Sequence, residues 1–526
     1  MKNILYKIVF LLSIHVCLIS CSLEPELTSS YTEDVLWKSD ENVELYINGF
    51  YPLIGQGYYT TSLEEDGYSD IVKMSLPYAT QNVFVFGEMP ISASSNVFDN
   101  WGWGYNWVTL CNRFLDGLKT KGEHLSDNMK IKAEAEIRFF RAHVYFMMAR
   151  RYGASLVIFR NLPALGDKNH PLSTPDECWD FIEEDLDFAA GNLPLVAEKG
   201  RLTKGAALGL KARVMLYAER WEKAAQSAQD IFDMNLYDLY PDYAKLFTLR
   251  RSDGIDNKES ILEFAFQYPE LSYNYDYYYC PPGDNGFARA TPTEDLVSQY
   301  QMADGTDFDW DNPVMAANPY EGREPRFYAS ILYNGAQWKG RTIESFVGGI
   351  DGWGLGGNTT STGYYIRKTL DESLSSIRET DLVYYYMRFA EVLLIYAEAK
   401  AMLGDLTSAL VALNRVRRRA GFSQDVTATT LDQFMQLLRH ERMIELAFEG
   451  HRFWDLRRWN LAKKVLDNTN MTGVKPTKMA DGSYSYELID CDNGKQRVYL
   501  DKYQRFPIPY TEIQSNNLVE QFPEWK

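Results

Sequence analysis

Apolar positions fall at helical spacing in two long regions of this chain. Between Ile131 and Arg151, Ile137, Phe140, Val144, Met147 and Met148 recur three and four residues apart, which predicts an amphipathic helix ending near Gly153. Thr174-Pro175-Asp176-Glu177 announces the next helix: Thr174 can cap, Pro175 suits the first helical position, and Glu177 can reach back to close a capping box. From Thr203 to Asp233 the pattern predicts two antiparallel helices turning around Ala218-Glu219-Arg220-Trp221. Ala207, Ala212, Ala224, Ala225 and Ala228 stand where they would pack closely. Ala397 and Ala409, with Leu403-Gly404-Asp405 at the turn, repeat the spacing of Ala212 and Ala224, so both units read as tetratricopeptide-like helix pairs. A second capping-box sequence, Thr430-Leu431-Asp432-Gln433, opens a helix that continues through Leu437, Ile444 and Phe448 and pauses at Gly450.

Elsewhere the periodicity fails. Residues from about 250 to 383 hold the runs Tyr273-Asn274-Tyr275-Asp276-Tyr277-Tyr278-Tyr279 and Gly348-Gly349-Ile350-Asp351-Gly352-Trp353-Gly354, which read as loops and short strands. A second irregular, aromatic stretch runs from Tyr51 to Tyr105, including Tyr58, Tyr59, Asp66, Trp101 and Trp103, and precedes a helix predicted over Trp107 to Lys119. The tail Phe506-Pro507-Ile508-Pro509 is extended, because each proline biases its predecessor away from helix. The expectation is a mainly α fold, a helix-pair scaffold with a large irregular half. It would form one domain over 36–526: an N-terminal part (about 36–240), a loop-rich insert (about 250–383) and a C-terminal helical part (about 384–526).

The N-terminus reads as an export signal. Lys2 and Lys7 precede an apolar run, Ile8 to Ile19, too short to span a bilayer, which needs roughly 20 residues. Leu18-Ile19-Ser20-Cys21 has the form of a bacterial lipobox, so 1–20 is a signal peptide, Cys21 is the lipidated residue, and 21–35 is a linker. Each buried methylene of the attached chains contributes roughly 0.8 kcal/mol, enough for a stable anchor without a membrane-spanning helix. Of the other cysteines beyond the signal, Cys111, Cys178, Cys280 and Cys491 are widely spaced; they allow a disulfide and require none.

Composition narrows the partners. The chain is 45% hydrophobic and 24% charged, as folded proteins are, and its net charge of −18 opposes nucleic acid and anionic lipid. Aromatic residues make up 14%, with 36 Tyr, and a ring with a polar tip suits stacking against sugars or peptides.

Leu438 to Trp459 reads LRHERMIELAFEGHRFWDLRRW, and this segment resembles the most characteristic stretch of the SusD/RagB family of outer-membrane nutrient-binding lipoproteins. Supporting pieces are YNWVTLCNRFLDGL (105–118), RAHVYFMMARRYG (141–153), RLTKGAALGLKARVMLYA (201–218), MRFAEVLLIYAEA (387–399) and FPIPYTEI (506–513). The resemblance implies four tetratricopeptide-like helix pairs, an irregular half carrying the ligand site, and capture of glycans or peptides without chemistry on them. It also implies a SusC-like TonB-dependent barrel as partner, in the outer membrane and facing the cell exterior, in the service of polysaccharide utilization. One departure is the absence of proline in Ala154-Ser155-Leu156-Val157-Ile158-Phe159.

Within that segment, Arg442 and Glu445, Glu449 and Arg452, and Asp455 and Arg458 stand three apart, which predicts structural ion pairs in place of a catalytic centre. A surface glycosidase is the rival reading; it needs two carboxylates about 5–10 Å apart, and the sequence neither supports nor excludes such a pair. A peptide- or protein-binding surface lipoprotein is a further alternative. There is no G-x-S-x-G, H-E-x-x-H or P-loop. Asp307, Asp309 and Asp311 alternate like a calcium loop but lack its Gly and closing Glu, so a solvated acidic turn is preferred to structural calcium, and no cofactor is expected. His143, on an apolar helix, reads as a core histidine. For ligand contacts the loop-like stretches nominate Trp101, Trp103, Tyr278, Trp338 and Trp353 for stacking, with Asp66 and Asn100 for hydrogen bonding.

Overall fold

The computed structural model describes residues 33–55, 62–88, 91–264, 266–353, 358–374 and 379–526. The signal peptide, the lipidation residue Cys21, Tyr58 and Tyr59 lie outside them. Among the described residues the longer helices are α1 (Asp40–Asn48), α2 (Trp101–Lys121), α3 (Asp127–Tyr152), α4 (Pro175–Asn192), α5 (Lys204–Tyr217), α6 (Trp221–Asp233), α7 (Phe389–Met402), α8 (Leu406–Arg419), α9 (Leu431–Glu445) and α10 (Arg452–Arg458). None is long and apolar enough to cross a membrane.

Their ends follow local chemistry. Ser126, five residues before Ile131, caps α3 by accepting from Met129 N, and Gly153 closes it in the left-handed region at φ 65°. The Thr174/Glu177 capping box is complete. At α9 only half of the expected box forms: Thr430 accepts from Gln433 N, while the Gln433 amide oxygen takes the N–H of Thr429. Helix α2 begins at Trp101, a full turn and more before the predicted Trp107. Gly102 and Gly104 weaken the helical signal there, yet Gly104 is what lets α2 approach α3: a Cβ at this position would lie 2.1 Å from Met148 Sδ.

The helices pack in succession, α2 on α3, α3 on α4, α4 on α5 and α5 on α6. Helix α6 then packs directly on α7, although more than 150 residues separate them in sequence, and α7 also receives α8 and α9. The insert is therefore looped out of a continuous scaffold. Its base is clasped where strand β2 (Ser260–Phe264) pairs antiparallel with β8 (Tyr384–Arg388), which runs straight into α7. Four further two-stranded ladders lie among the described residues: β1 (Val72–Met74) with β3 (Ala290–Pro292), β4 (Ile331–Leu332) with β7 (Tyr365–Ile366), β5 (Gln337–Trp338) with β6 (Arg341–Thr342), and β9 (Thr472–Lys478) with β10 (Tyr484–Asp490).

Buried ion pairs join insert to scaffold. Arg326 of the insert, fully enclosed, reaches Glu441 at 2.5 Å and Glu445 at 2.9 Å on α9. Arg388 reaches Glu259 at 2.8 Å, Glu445 at 2.6 Å and Glu449 at 2.8 Å. Of the three pairs expected from spacing, Asp455–Arg458 is present at 2.7 Å. Arg442 turns instead to Asp455, Glu449 to Arg388 and Lys368, and Arg452 to Asp70. Helix α9 ends at Glu445, and positive φ at Phe448 and Gly450 folds the chain back, so elements distant in sequence supply the partners. Burial opposes ionisation of Glu445, but Arg419, Arg388 and Arg326 outweigh it and hold the carboxyl well below its usual range.

The four cysteines are free and buried. Asp307 and Asp309 of the acidic turn are engaged by their own loop, through Gln301 Nε2 and Asp311 N. His143 is enclosed in α3 with Nδ1 2.8 Å from the Tyr386 hydroxyl, and burial pushes its pKa down to about 3.

Candidate binding surface

The tyrosine run of the insert forms a short helix, Tyr275–Tyr279. Tyr275 and Tyr279, one turn apart, face inward and are buried, so Tyr277 and Tyr278 face outward, with Tyr277 42% exposed. Tyr277 lies 5.2 Å from Tyr278 and 4.7 Å from Phe287, ring centre to ring centre. The Arg289 guanidinium covers the Tyr278 ring at 4.2 Å. Backbone bonds Phe287 N to Tyr277 O (3.1 Å) and Arg289 N to Tyr278 O (2.9 Å) tie the two segments together. The β1–β3 ladder brings a third segment alongside, since Ser75 N donates to Arg289 O and the turn beyond it carries Tyr78, 76% exposed.

Polar groups line the base of this rim. Glu64 accepts from Gln81 and Tyr279; burial raises its pKa, opposed by Arg289. Arg289 Nε has no hydrogen-bond partner among the described residues. Half-exposed rings beside a carboxyl and a guanidinium can stack on the C–H face of a flat polar ligand and hydrogen-bond its hydroxyls.

Three acidic residues brace the rim from below. Asp276, buried, accepts from Lys339 Nζ at 3.1 Å and from Asp371 N at 3.2 Å. Asp284 takes Trp338 Nε1 at 3.0 Å and Arg341 at 2.9 Å. Asp351 binds Arg341 at 2.7 Å and Gly283 N at 3.0 Å. Gly283 is required there, because a Cβ would meet Asp351 and Arg341 at 2.5 and 2.6 Å.

The nominated residues divide on this geometry. Tyr278 is on the rim, and Trp353, half-buried, lies two residues from Asp351 on the adjoining turn. Trp338 is 1% exposed: its ring is a wall beneath the rim, held by Asp284, and offers no face to a ligand. Trp101, 4% exposed, sits at the start of α2 with its ring against Tyr105 and Tyr152 and its N–H on Glu512. Trp103 is half-buried on the same helix and packs against the core, and Asn100 Nδ2 donates to Met147 O. Asp66 is fully buried, accepting from Gly450 N, so it pins the turn after α9. Burial corrects the loop reading for Trp101, Trp338 and Asp66: a helix start, a strand and a buried helix end hold them where no ligand reaches. Tyr277, Phe287, Arg289, Tyr78 and Glu64 were not nominated. The tyrosine run was visible, but which of its faces is outward depends on its being helical.

Two depressions lie elsewhere. One of about 680 Å³ surrounds Arg250, Tyr268, Asp371 and Asp381, whose charges already pair with one another. Another of about 740 Å³ is lined by Gln299, Gln433, Gln436 and His440, with Phe308, largely buried, as its aromatic residue.

Comparison with known proteins adds a lineage to this geometry. A family model described as the SusD family matches residues 258–525, and one described as starch-binding associating with outer membrane matches residues 23–216. The chain is 26% identical to a SusD-like protein of Bacteroides ovatus, over 94% of this chain and 90% of that one. Among solved structures, a SusD-like protein of Bacteroides fragilis superposes with a TM-score of 0.81 at 29% identity, covering 94% of this chain and 98% of its own. A SusD-like carbohydrate binding protein from the same species gives 0.80 at 25% identity, covering 92% and 100%.

Proposed function

This chain belongs to the SusD family, and from that premise we propose that it is a non-catalytic, lipid-anchored glycan-binding protein of the outer membrane. It captures oligo- or polysaccharide at the cell exterior and delivers it to a SusC-like TonB-dependent barrel. The observation that carries the reading is the outward rim of Tyr277, Tyr278 and Phe287 with Arg289 and Glu64 beside it: rings for stacking, and polar groups for hydroxyls. A SusD-like carbohydrate binding protein of the same fold supports glycan as the ligand class. The lipobox cysteine Cys21 supports the anchor.

The glycosidase reading keeps one specific foothold, since Glu64 is a carboxyl of raised pKa at an aromatic rim, as a general acid would be. The carboxylates that brace the rim, Asp276, Asp284 and Asp351, are each committed to Lys339 or Arg341 and so are not free to act with it. Calorimetry of the soluble chain lacking Cys21 against starch, laminarin, xylan and mannan, with reducing-sugar assay of the same mixtures, tests both readings. Binding without release of sugar is expected, and Tyr277→Ala is expected to abolish it. Release of sugar overturns the non-catalytic reading.

A further inference from the structure

A third, smaller cavity of about 310 Å³ opens where the base of the insert meets the scaffold. Three segments enclose it: the α4–α5 turn over 195–203, the stretch 235–237 that follows α6, and residues 256–263, which include most of β2. Tyr237 is one wall. Its hydroxyl lies against the first turn of α5, where a Cβ on Gly205 would approach it to 2.2 Å. Leu195 and Val196 line the cavity and are nevertheless 51% and 69% exposed, so they form an apolar lip.

Glu263 of β2 lines the same cavity and is only 6% exposed. Among the described residues its carboxylate forms no ion pair and takes one hydrogen bond, on Oε2 from the Ser260 hydroxyl. Glu259, four residues earlier and also buried, is neutralised by Arg388 and Arg419. Enclosed carboxylates are ordinarily matched by a cation in this way. The cations of the lining do not supply one to Glu263. Lys199 turns its Nζ to Asn257 O at 3.2 Å, Arg201 is engaged by Glu44 and Glu136, and Lys258 forms no ion pair with Glu263. Glu263 Oε1 is left for a donor from outside the chain.

We infer that this cavity binds a primary alkylammonium group: the ammonium donates to Glu263 Oε1, and its carbon stem lies along Tyr237, Leu195 and Val196. A single open carboxylate oxygen suits the point charge of an ammonium, whereas the planar fork of a guanidinium calls for both oxygens. The volume is at the lower end of the roughly 300–1,000 Å³ of ligand pockets, which fits a short stem. A small free amine and the lysine side chain of a protein partner present this same chemistry. No residue of the lining belongs to the aromatic rim, so the inference is independent of the glycan reading.

The test is calorimetry of the soluble chain lacking Cys21 with n-butylammonium chloride, n-butanol and the peptide acetyl-Gly-Lys-Gly-amide. Saturable binding of butylammonium is expected, with n-butanol at least about tenfold weaker, as loss of a hydrogen bond to a charged group implies. Glu263→Gln, nearly isosteric and still able to bond Ser260, should bring butylammonium down to the level of n-butanol. Val196→Ser, at an exposed position, should weaken both ligands several-fold with an unaltered thermal midpoint. Peptide binding as tight as that of butylammonium identifies a protein lysine as the source; exclusion of the peptide while butylammonium binds identifies a small free amine. The inference is overturned if the wild type binds butylammonium no better than n-butanol, or if Glu263→Gln binds it as the wild type does. Should Glu263→Gln fail to fold, the two ligands on the wild type and Val196→Ser decide the matter.

Discussion

At the residue scale, burial separates side chains that the sequence makes look alike. Trp338 and Tyr277 are both aromatic residues of the insert, yet one is enclosed and the other 42% exposed. Trp338→Ala should destabilise the protein by about 3–5 kcal/mol, as large core deletions do, whereas Tyr277→Ala should shift stability by less than about 1 kcal/mol; urea denaturation distinguishes them. Glu294 is a further case. It is buried, accepts from Tyr364 and Trp310, and burial pushes its pKa up to about 7 against those bonds. The folded state then holds a proton that the unfolded chain releases above roughly pH 4.5. Its contribution to stability is fully present below that value and lost as pH rises through 7. Glu294→Gln should remove this dependence, so the stability difference between wild type and variant should change by at most about 3 kcal/mol between pH 4.5 and 8, read from denaturation midpoints across that range.

At the element scale, helices were legible where periodicity and caps agreed. Thr174 and Glu177 fix the start of α4 through local contacts alone, and the two helix pairs announce themselves through alanine spacing. The start of α2 was hidden because Gly102 and Gly104 read as loop, and only the proximity of Met148 explains why glycine stands at 104. The charged segment after α9 shows the same limit. Its residues form ion pairs as expected, but two of the three partners come from elements that local spacing cannot reveal. Because Arg326 is fully enclosed by Glu324, Glu441 and Glu445, Arg326→Met should cost about 3–5 kcal/mol by leaving buried carboxylates uncompensated. A double-mutant cycle with Glu441→Gln, measured by chemical denaturation, should show that the two losses are not additive.

At the scale of the whole molecule, a net charge of −18 surrounds a ligand surface whose contacts are rings and hydrogen bonds. Binding of a neutral polysaccharide should therefore change by less than about twofold between low and high salt. A polyanion such as polygalacturonate should bind weakly and improve as salt screens the repulsion. Titration of both ligands at two ionic strengths checks this; a neutral ligand whose affinity collapses in salt would mean that Arg289 or other charges dominate the site.

The chain's own order of residues determined most of its helices, its repeat pairs and its family, because these depend on contacts within a few residues or on a long unbroken motif. It also marked the tyrosine run as the place to look. Only the tertiary structure decided which aromatic rings face solvent, that α6 docks on α7 across the looped-out insert, and that Asp276, Asp284 and Asp351 brace the rim. A ring's exposure is set by what the distant chain lays over it, and no periodicity in the neighbourhood of Trp101 or Trp338 carries that information.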